Sequence, residues 1–172
     1  MSEDRRVIYT IGHSTHSIEA FVAILQSFEV KMIADIRALP GSRRFPHFNK
    51  SLLEGYLALA GISYLHFPGL GNNRKPLAES KNTHWKNEAM RGFADYMETS
   101  AFRKATDQLQ ALARKQVTAY MCAEGLWSDC HRALLSDHLM ENEWQVFHIL
   151  DKHKSQEHTK ASPAKQEQGT LF

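Results

Sequence analysis

The chain has 172 residues, of which 42% are hydrophobic and 23% charged, so it holds enough apolar material for one domain with its own core. Its formal net charge of +2 at pH 7 does not by itself indicate nucleic-acid binding. No run approaches the roughly 20 apolar residues that a membrane-spanning helix needs. With two cysteines and no signal-peptide pattern, we expect a cytoplasmic protein with reduced thiols.

Strands and helices alternate along the chain. The first half predicts a strand at 7–12, a helix capped by Ser17, a strand at 31–36, a long basic loop at 37–48, a helix that Asn49 could cap, and a strand at 62–67. The second half predicts a long loop at 68–85, helices at about 86–98 and 101–115, a strand at 117–121, a helix at 131–141 and a strand at 144–150. Strands linked by helices pair in parallel through right-handed crossovers. The sequence therefore predicts a three-layer α/β fold with a mostly parallel sheet of about five strands.

The composition changes after residue 150. Residues 151–168 are dominated by Lys, His, Ser, Gln and Glu and contain no core-forming apolar residue. We therefore expect an α/β domain over residues 1–150 and a flexible polar tail over residues 151–172. The tail ends in Gln168-Gly-Thr-Leu171-Phe172, which is similar to the peptide by which bacterial DNA polymerases and repair proteins dock on the sliding clamp. Gln168, Leu171 and Phe172 predict a DNA sliding clamp as a partner, although Gly169 stands where an apolar residue is frequent.

Polar side chains follow three of the predicted strands at the point where each strand ends. They are His13 and Ser14 after the first strand, Asp35 and Arg37 after the second, and Cys122 and Glu124 after the fourth. Ligands of open parallel sheets bind at the carboxyl ends of the strands. We therefore expect these side chains to share one pocket, with the loops at 37–48 and 68–85 as its walls or lid.

The stretch from residue 117 to residue 132 holds both cysteines. Cys130 would lie at a helix start beside Arg132, where free backbone N–H groups and the positive charge both favour a thiolate. Cys122 could act as a second thiol that closes a disulfide, or it could be a small buried residue that ends a strand. The acid and base candidates for such chemistry are Glu124, His13, Asp35 and His131.

Two other uses of the pocket residues compete with thiol chemistry. The candidates for binding a phosphate-bearing substrate are Ser14, Arg37, Ser42, Arg43 and Arg132, because a guanidinium fork matches phosphate oxygens. Alternatively, the loop arginines are solvated and Arg37 pairs with Asp35 or Glu124. Zinc is a further possibility, with Cys122, Cys130, His131 and His13 as ligands, although the spacing matches no compact zinc motif.

Three ordered motifs together resemble one known family. They are Tyr9-Thr10-Ile11-Gly12-His13-Ser14, then Asp35-Ile36-Arg37 with Pro40 and Ser42-Arg43, and then Cys122-Ala-Glu124 with Cys130-His131-Arg132. This set resembles the domain-of-unknown-function family 488 (DUF488) over residues 7 to about 150. The resemblance implies a compact α/β domain in which these residues cluster, and it implies no established reaction.

Three functional hypotheses follow. The first is an enzyme that uses Cys130 or Cys122 on a phosphate-bearing substrate, a nucleotide or nucleic acid, in DNA maintenance. The second is a non-catalytic nucleic-acid-binding module that its tail recruits to the sliding clamp. The third is a metal-dependent hydrolase.

Overall fold

A single six-stranded sheet forms the centre of the protein, in a computed structural model that describes residues 6–85 and 87–160. The strands are β1 (Val7–Gly12), β2 (Met32–Asp35), β3 (Ser63–His66), β4 (Thr118–Cys122), β5 (Gln145–Asp151) and β6 (Lys154–Glu157). Their order across the sheet is β3-β2-β4-β1-β5-β6. The first five strands are parallel, and β6 runs antiparallel to β5. The predicted α/β class is confirmed, with six strands rather than about five.

Five helices cover the two faces of the sheet within the described residues. They are α1 (Ile18–Ser27), α2 (Lys50–Leu59), α3 (Glu88–Tyr96), α4 (Ser100–Lys115) and α5 (Arg132–Glu141). Ser17 caps α1 as predicted, because its hydroxyl accepts the backbone N–H of Ala20 at 3.1 Å. Asn49 precedes α2, but its side-chain oxygen accepts the Ser42 N–H instead of a helix N–H. The amide therefore shapes the basic loop and does not cap the helix.

The two faces of the sheet carry separate hydrophobic cores. Helices α1 and α2 pack on one face, where Phe21 and Leu53 meet Ile33 and Met121 of the strands. Helices α3, α4 and α5 pack on the other face around the fully buried Phe93. Side chains of a strand alternate between its faces, so the central strands are apolar on both sides. This three-layer packing leaves polar groups at the ends of the strands.

The polar residues at the start of the predicted flexible tail form part of the sheet. Residues Lys154–Glu157 form β6, and His158 directly after it is only 3% exposed. The sequence pattern missed this strand because all four of its residues are exposed, so it has no apolar alternation. The clamp-like residues Gln168, Leu171 and Phe172 lie outside the described residues.

The long loop before α3 is held by one carboxylate. Asp95 of α3 accepts hydrogen bonds from the backbone N–H of Leu77 at 2.9 Å, from the Ser80 hydroxyl at 2.8 Å and from the Asn82 amide at 2.6 Å. Burial alone would raise the pKa of Asp95. The hydrogen bonds outweigh burial, so the pKa of Asp95 is lowered overall. The loop is thus tied to α3 and has a defined path beside the sheet edge.

Candidate functional site

The polar residues predicted to converge do meet at the carboxyl ends of β1, β4 and β2. These three strands are neighbours in the sheet, so the residues that follow them lie side by side. A cavity of about 280 Å³ opens here, and its lining includes both cysteines, His131, Arg37, Asn72 and Glu124. Its volume suits a small molecule or a single extended group rather than a globular partner.

Two thiols lie at the inner end of this cavity. The Sγ atoms of Cys122 and Cys130 are 3.1 Å apart, and the residues are 3% and 5% exposed. Cys122 ends β4, whereas Cys130 follows a short 3-10 turn (Trp127–Asp129) and lies just before α5. The turn thus brings back a residue eight positions along the chain and places its sulfur against that of Cys122.

The two thiols differ in acidity. Burial raises the pKa of both, and it leaves the pKa of Cys122 well above its usual value, with a further rise from neighbouring Cys130. At Cys130 burial is outweighed by the hydrogen bond from Cys122, by His131 and by the charge of Arg132, so its pKa falls well below the usual value. These causes favour the thiolate at Cys130, and in that form the Cys122 S–H is the donor of the pair.

Arg132, in the first turn of α5, surrounds Cys130 with donors. Its backbone N–H and its Nε each lie 3.4 Å from Cys130 Sγ. One terminal nitrogen donates to the Thr10 hydroxyl at 3.0 Å, and the other donates to the Glu124 carbonyl at 2.7 Å. The residue is 1% exposed and does not line the cavity. Sequence reasoning placed Arg132 on a substrate anion, whereas its side chain instead faces the thiolate.

His131 is an acid or base candidate that interacts with Cys130. Its Nε2 donates to the Ile36 carbonyl at 3.0 Å, which fixes the ring and leaves Nδ1 as the lone-pair nitrogen of the neutral imidazole. Nδ1 is buried and has no hydrogen-bond partner among the described residues, although the ring lies close enough to lower the pKa of Cys130. An unpaired buried nitrogen beside a thiol can take up a proton from it.

Asp35, Arg37 and His13 form a second buried cluster on the other side of the cavity. The Arg37 guanidinium forks onto the Asp35 carboxylate, with Nε at 2.9 Å and a terminal nitrogen at 2.7 Å. Its remaining terminal nitrogen lies 3.4 Å from His13 Nε2, and the Tyr64 hydroxyl also donates to Asp35. The alternative that Arg37 pairs with Asp35 is confirmed, so this guanidinium is already neutralised by a carboxylate.

His13 is neutral in this cluster. Its Nδ1–H donates to the Ser14 carbonyl at 3.0 Å, and its ring stacks on Phe48 with centroids 4.2 Å apart. The pKa of His13 is lowered to about 4, chiefly by burial. The nearby charge of Arg37 acts in the same direction, and Asp35 acts against it. His13 does not line the cavity, whereas Arg37, which it contacts, does.

Of the remaining predicted residues, the structure brings Glu124 into the cavity but not Ser14, Ser42 or Arg43. Ser42 uses its hydroxyl to accept the Phe45 N–H at 3.0 Å, and Arg43 is exposed on the same loop. Ser14 lies in the turn after β1, with a φ of 47° and its N–H on the Ala123 carbonyl. Glu124 does line the cavity, with its side chain exposed.

Sequence reasoning missed Gly12, which lets two segments of the site meet. A Cβ atom on Gly12 would lie 1.7 Å from the Glu124 carbonyl oxygen, the same oxygen that accepts a hydrogen bond from Arg132. Only a residue without a side chain permits this close approach. The sequence did contain a sign of this close approach, because Gly12 ends a buried strand directly before the polar residues His13 and Ser14.

Two other findings bear on the predicted alternatives. No three His, Cys, Asp or Glu side chains within residues 6–85 and 87–160 are grouped in a way that could hold a metal ion, so the four proposed zinc ligands do not form a site there. Across the same part of the chain, no helix is long and apolar enough to span a membrane.

Comparison with known proteins identifies the family. No curated protein and no solved structure matches the chain. The family model of "Domain of unknown function DUF488" matches residues 17–139, which include Asp35, Arg37, both cysteines and Arg132. The chain therefore belongs to the DUF488 family.

Proposed function

We propose that this protein is a thiol–disulfide oxidoreductase that acts on a small disulfide, with Cys130 as the nucleophile and Cys122 as the resolving thiol. The observation that carries the proposal is the 3.1 Å contact between the Sγ atoms of Cys122 and Cys130 in the lining of the cavity. The pKa of Cys130 is lowered, and that of Cys122 is raised. A low-pKa thiolate beside a protonated second thiol is the arrangement that disulfide exchange uses.

The reaction has two steps. The Cys130 thiolate attacks one sulfur of the substrate disulfide, a mixed disulfide forms, and the first substrate thiolate leaves. Cys122 then gives its proton to the substrate thiolate that has left, and its sulfur attacks Cys130 Sγ. The Cys122–Cys130 disulfide forms and the second substrate thiolate leaves, so the substrate gains the two electrons that the protein thiols lose. An external dithiol restores the reduced protein.

The size of the cavity and the burial of the sulfur atoms support a small substrate. The cavity volume is about 280 Å³, and neither cysteine is more than 5% exposed. A disulfide on the surface of a folded protein would not reach a sulfur at this depth. The geometry gives less support to a phosphate-bearing substrate, because Arg37 is paired with Asp35 and Arg132 faces Cys130.

Oxidation of the reduced protein by glutathione disulfide tests the proposal. We expect the intact protein to lose its two thiol hydrogens, as measured by mass spectrometry, and to lose reactivity toward a thiol reagent. Cys122→Ser should stop at a mixed disulfide on Cys130, whereas Cys130→Ser should react far more slowly. A folded protein that forms no internal disulfide, or one in which Cys122 is the residue trapped with glutathione, would refute the assignment.

A further inference from the structure

A line of hydrogen bonds runs from Arg132 through the sheet, away from the cavity. The Thr10 hydroxyl, which accepts from Arg132, lies 2.7 Å from His148 Nδ1. His148 Nε2 lies 2.8 Å from His158 Nδ1, and His158 Nε2 lies 2.7 Å from a carboxylate oxygen of Asp137. The line thus joins β1, β5, the end of β6 and α5.

One assignment of protons satisfies every group of this line with both imidazoles neutral. A guanidinium only donates, so the Thr10 oxygen accepts from Arg132 and its hydrogen is left for His148 Nδ1. His148 then carries its proton on Nε2 and donates to His158 Nδ1. His158 in turn carries a proton on Nε2 and donates it to Asp137. Every group of the line then has a partner.

The two imidazoles are held in an apolar setting. His148 is fully buried and His158 is 3% exposed. The Trp127 ring stacks on His148 with centroids 4.2 Å apart and planes 2° apart, and the Trp127 indole N–H donates to Gln156 of β6. The pKa of His148 is lowered to about 2, chiefly by burial and also by the nearby charge of Arg132, so His148 stays neutral.

None of these side chains takes part in the exchange reaction, but they act on Arg132, which contacts the Cys130 sulfur. No carboxylate in the described part of the chain pairs with Arg132, so its orientation depends on the neutral acceptors around it. If Thr10 did not accept, the guanidinium would be free to turn its Nε away from Cys130. Thr10, His148 and His158 also lie outside residues 17–139, so they belong to a part of the chain that the family match does not cover.

We propose that Thr10, His148, His158 and Asp137 form a positioning relay that holds the Arg132 guanidinium against Cys130 Sγ. The relay rests on the proposed thiol function and deepens it, because it assigns the residues that keep Cys130 in its reactive state. They are positioning residues, since none contacts the cavity. The carboxylate at the far end complements the buried cation across a chain of polarised hydrogen bonds.

The test measures the pKa of Cys130 in a Cys122→Ser background, where it is the sole thiol. The rate of alkylation by iodoacetamide between pH 3 and pH 10 reports the thiolate fraction. Thr10→Val removes the hydroxyl and should raise the pKa of Cys130 by about one unit, a tenfold change in the ionisation constant. Thr10→Ser keeps the hydroxyl and should restore the parent value.

The outcomes separate the relay from the function on which it rests. A parent protein whose Cys130 titrates near the ordinary thiol pKa of about 8.5 would overturn the thiol proposal itself. A low parent pKa that Thr10→Val leaves unchanged, even if its melting temperature falls, would overturn only the relay. If Thr10→Val does not fold, His158→Gln tests the same line from its far side, and an unchanged Cys130 pKa there also refutes the relay.

Discussion

An arginine is buried on each side of the cavity, and the positive charges of the two arginines are compensated by different groups. Arg37 is 6% exposed and forks onto the fully buried carboxylate of Asp35, so the charge is compensated within the pair. Arg132 is 1% exposed and donates to the Thr10 hydroxyl, the Glu124 carbonyl and Cys130 Sγ. The only group among these that can become an anion is the thiol.

This difference fits the proposed function, in which the Arg132 side is reactive and the Arg37 side is structural. A buried cation stabilises whatever anion lies next to it, and a carboxylate is already ionised at neutral pH whereas a thiol is not. Burial alone would lower the pKa of Arg132, but the sulfur atoms of Cys122 and Cys130 raise it overall. The same interaction lowers the pKa of Cys130. The Arg37 side forms part of the cavity wall, and under the proposed function the Arg132 side holds the nucleophile.

The largest expected effects come from replacing each arginine with methionine, because one substitution should act mainly on stability and the other mainly on the pKa of Cys130. Arg37→Met leaves the buried Asp35 charge without its partner and should lower the free energy of unfolding by about 3–5 kcal/mol. Arg132→Met should lower it less, because Cys130 can take up a proton, but should raise the pKa of Cys130 by about 2 units. Urea unfolding and the pH dependence of alkylation in the Cys122→Ser background measure the two effects.

Equal effects of Arg37→Met and Arg132→Met on the free energy of unfolding and on the pKa of Cys130 would contradict the distinction between the two arginines. In particular, a Cys130 pKa that rises as much in Arg37→Met as in Arg132→Met would mean that the two clusters act as one electrostatic unit. Arg43→Met is a suitable control, because this arginine is exposed outside the cavity. It should change the free energy of unfolding by less than about 0.5 kcal/mol.

Gly12 lies at the junction of β1 with the Glu124 segment, and a methyl group there should act on the Arg132 side. Gly12→Ala places a Cβ atom 1.7 Å from the Glu124 carbonyl oxygen, so the backbone that accepts from Arg132 must move. We expect a loss of about 3 kcal/mol in the free energy of unfolding, near the upper end of the usual range for overpacking, and a raised Cys130 pKa.

Gly55→Ala is the matched control for this substitution. Gly55 lies in α2, and a Cβ atom on it would meet nothing within 4 Å. Alanine is the better helix former, so this variant should gain about 0.5–1 kcal/mol. A Gly12→Ala protein as stable as the parent would show that the Glu124 segment can shift freely.

The sequence was sufficient to place the site but not to orient its side chains. Cys122 and Asp35 end buried strands, and the rule that parallel strands align their carboxyl ends brings them together without any structure. The direction of the Arg132 side chain depends on the Thr10 hydroxyl, which lies 122 residues away in sequence. A motif of adjacent Cys, His and Arg cannot show whether its guanidinium faces a ligand or its own neighbour.

The missed strand and the contact between Thr10 and His148, which the sequence did not predict, share one cause. Thr10 and His148 face each other because β1 and β5 pair in that register, and strand register is a tertiary property. β6 has an edge position and no apolar face, so only its pairing with β5 defines it. Polar residues inside two apolar runs, at Thr10 and His148, were the only local sign that buried hydrogen bonds were needed there.

The Arg37 side should also respond to pH through His13. The folded-state pKa of about 4 lies below the ordinary value of 6.5, so the unfolded chain binds a proton more readily as the pH falls. The stability that this histidine contributes is present above pH 6.5 and is lost as the pH falls toward 4. Between pH 7 and pH 5 the difference is about 2 kcal/mol.

A His13→Gln variant isolates that contribution. Its free energy of unfolding should fall less between pH 7 and pH 5 than that of the parent, by about 2 kcal/mol when both are measured in urea. Equal slopes in the two proteins would show that His13 takes up its proton in the folded state as readily as in the unfolded chain. The pKa of Cys130 should not change, because His13 belongs to the other cluster.

The smallest effect should come from the hydroxyl group of Tyr64. This hydroxyl donates to Asp35, whose second partner Arg37 stays in place when the group is removed. Tyr64→Phe should therefore lower the free energy of unfolding by about 1.5 kcal/mol, the usual loss for a hydrogen bond to a charged group, without changing the pKa of Cys130. Tyr56→Phe is the control, because the Tyr56 side chain is 39% exposed on α2 and should lose almost nothing. If Tyr64→Phe raised the pKa of Cys130, charge on the carboxylate side would be acting across the cavity on the thiolate, and the separation between the two arginines would not hold.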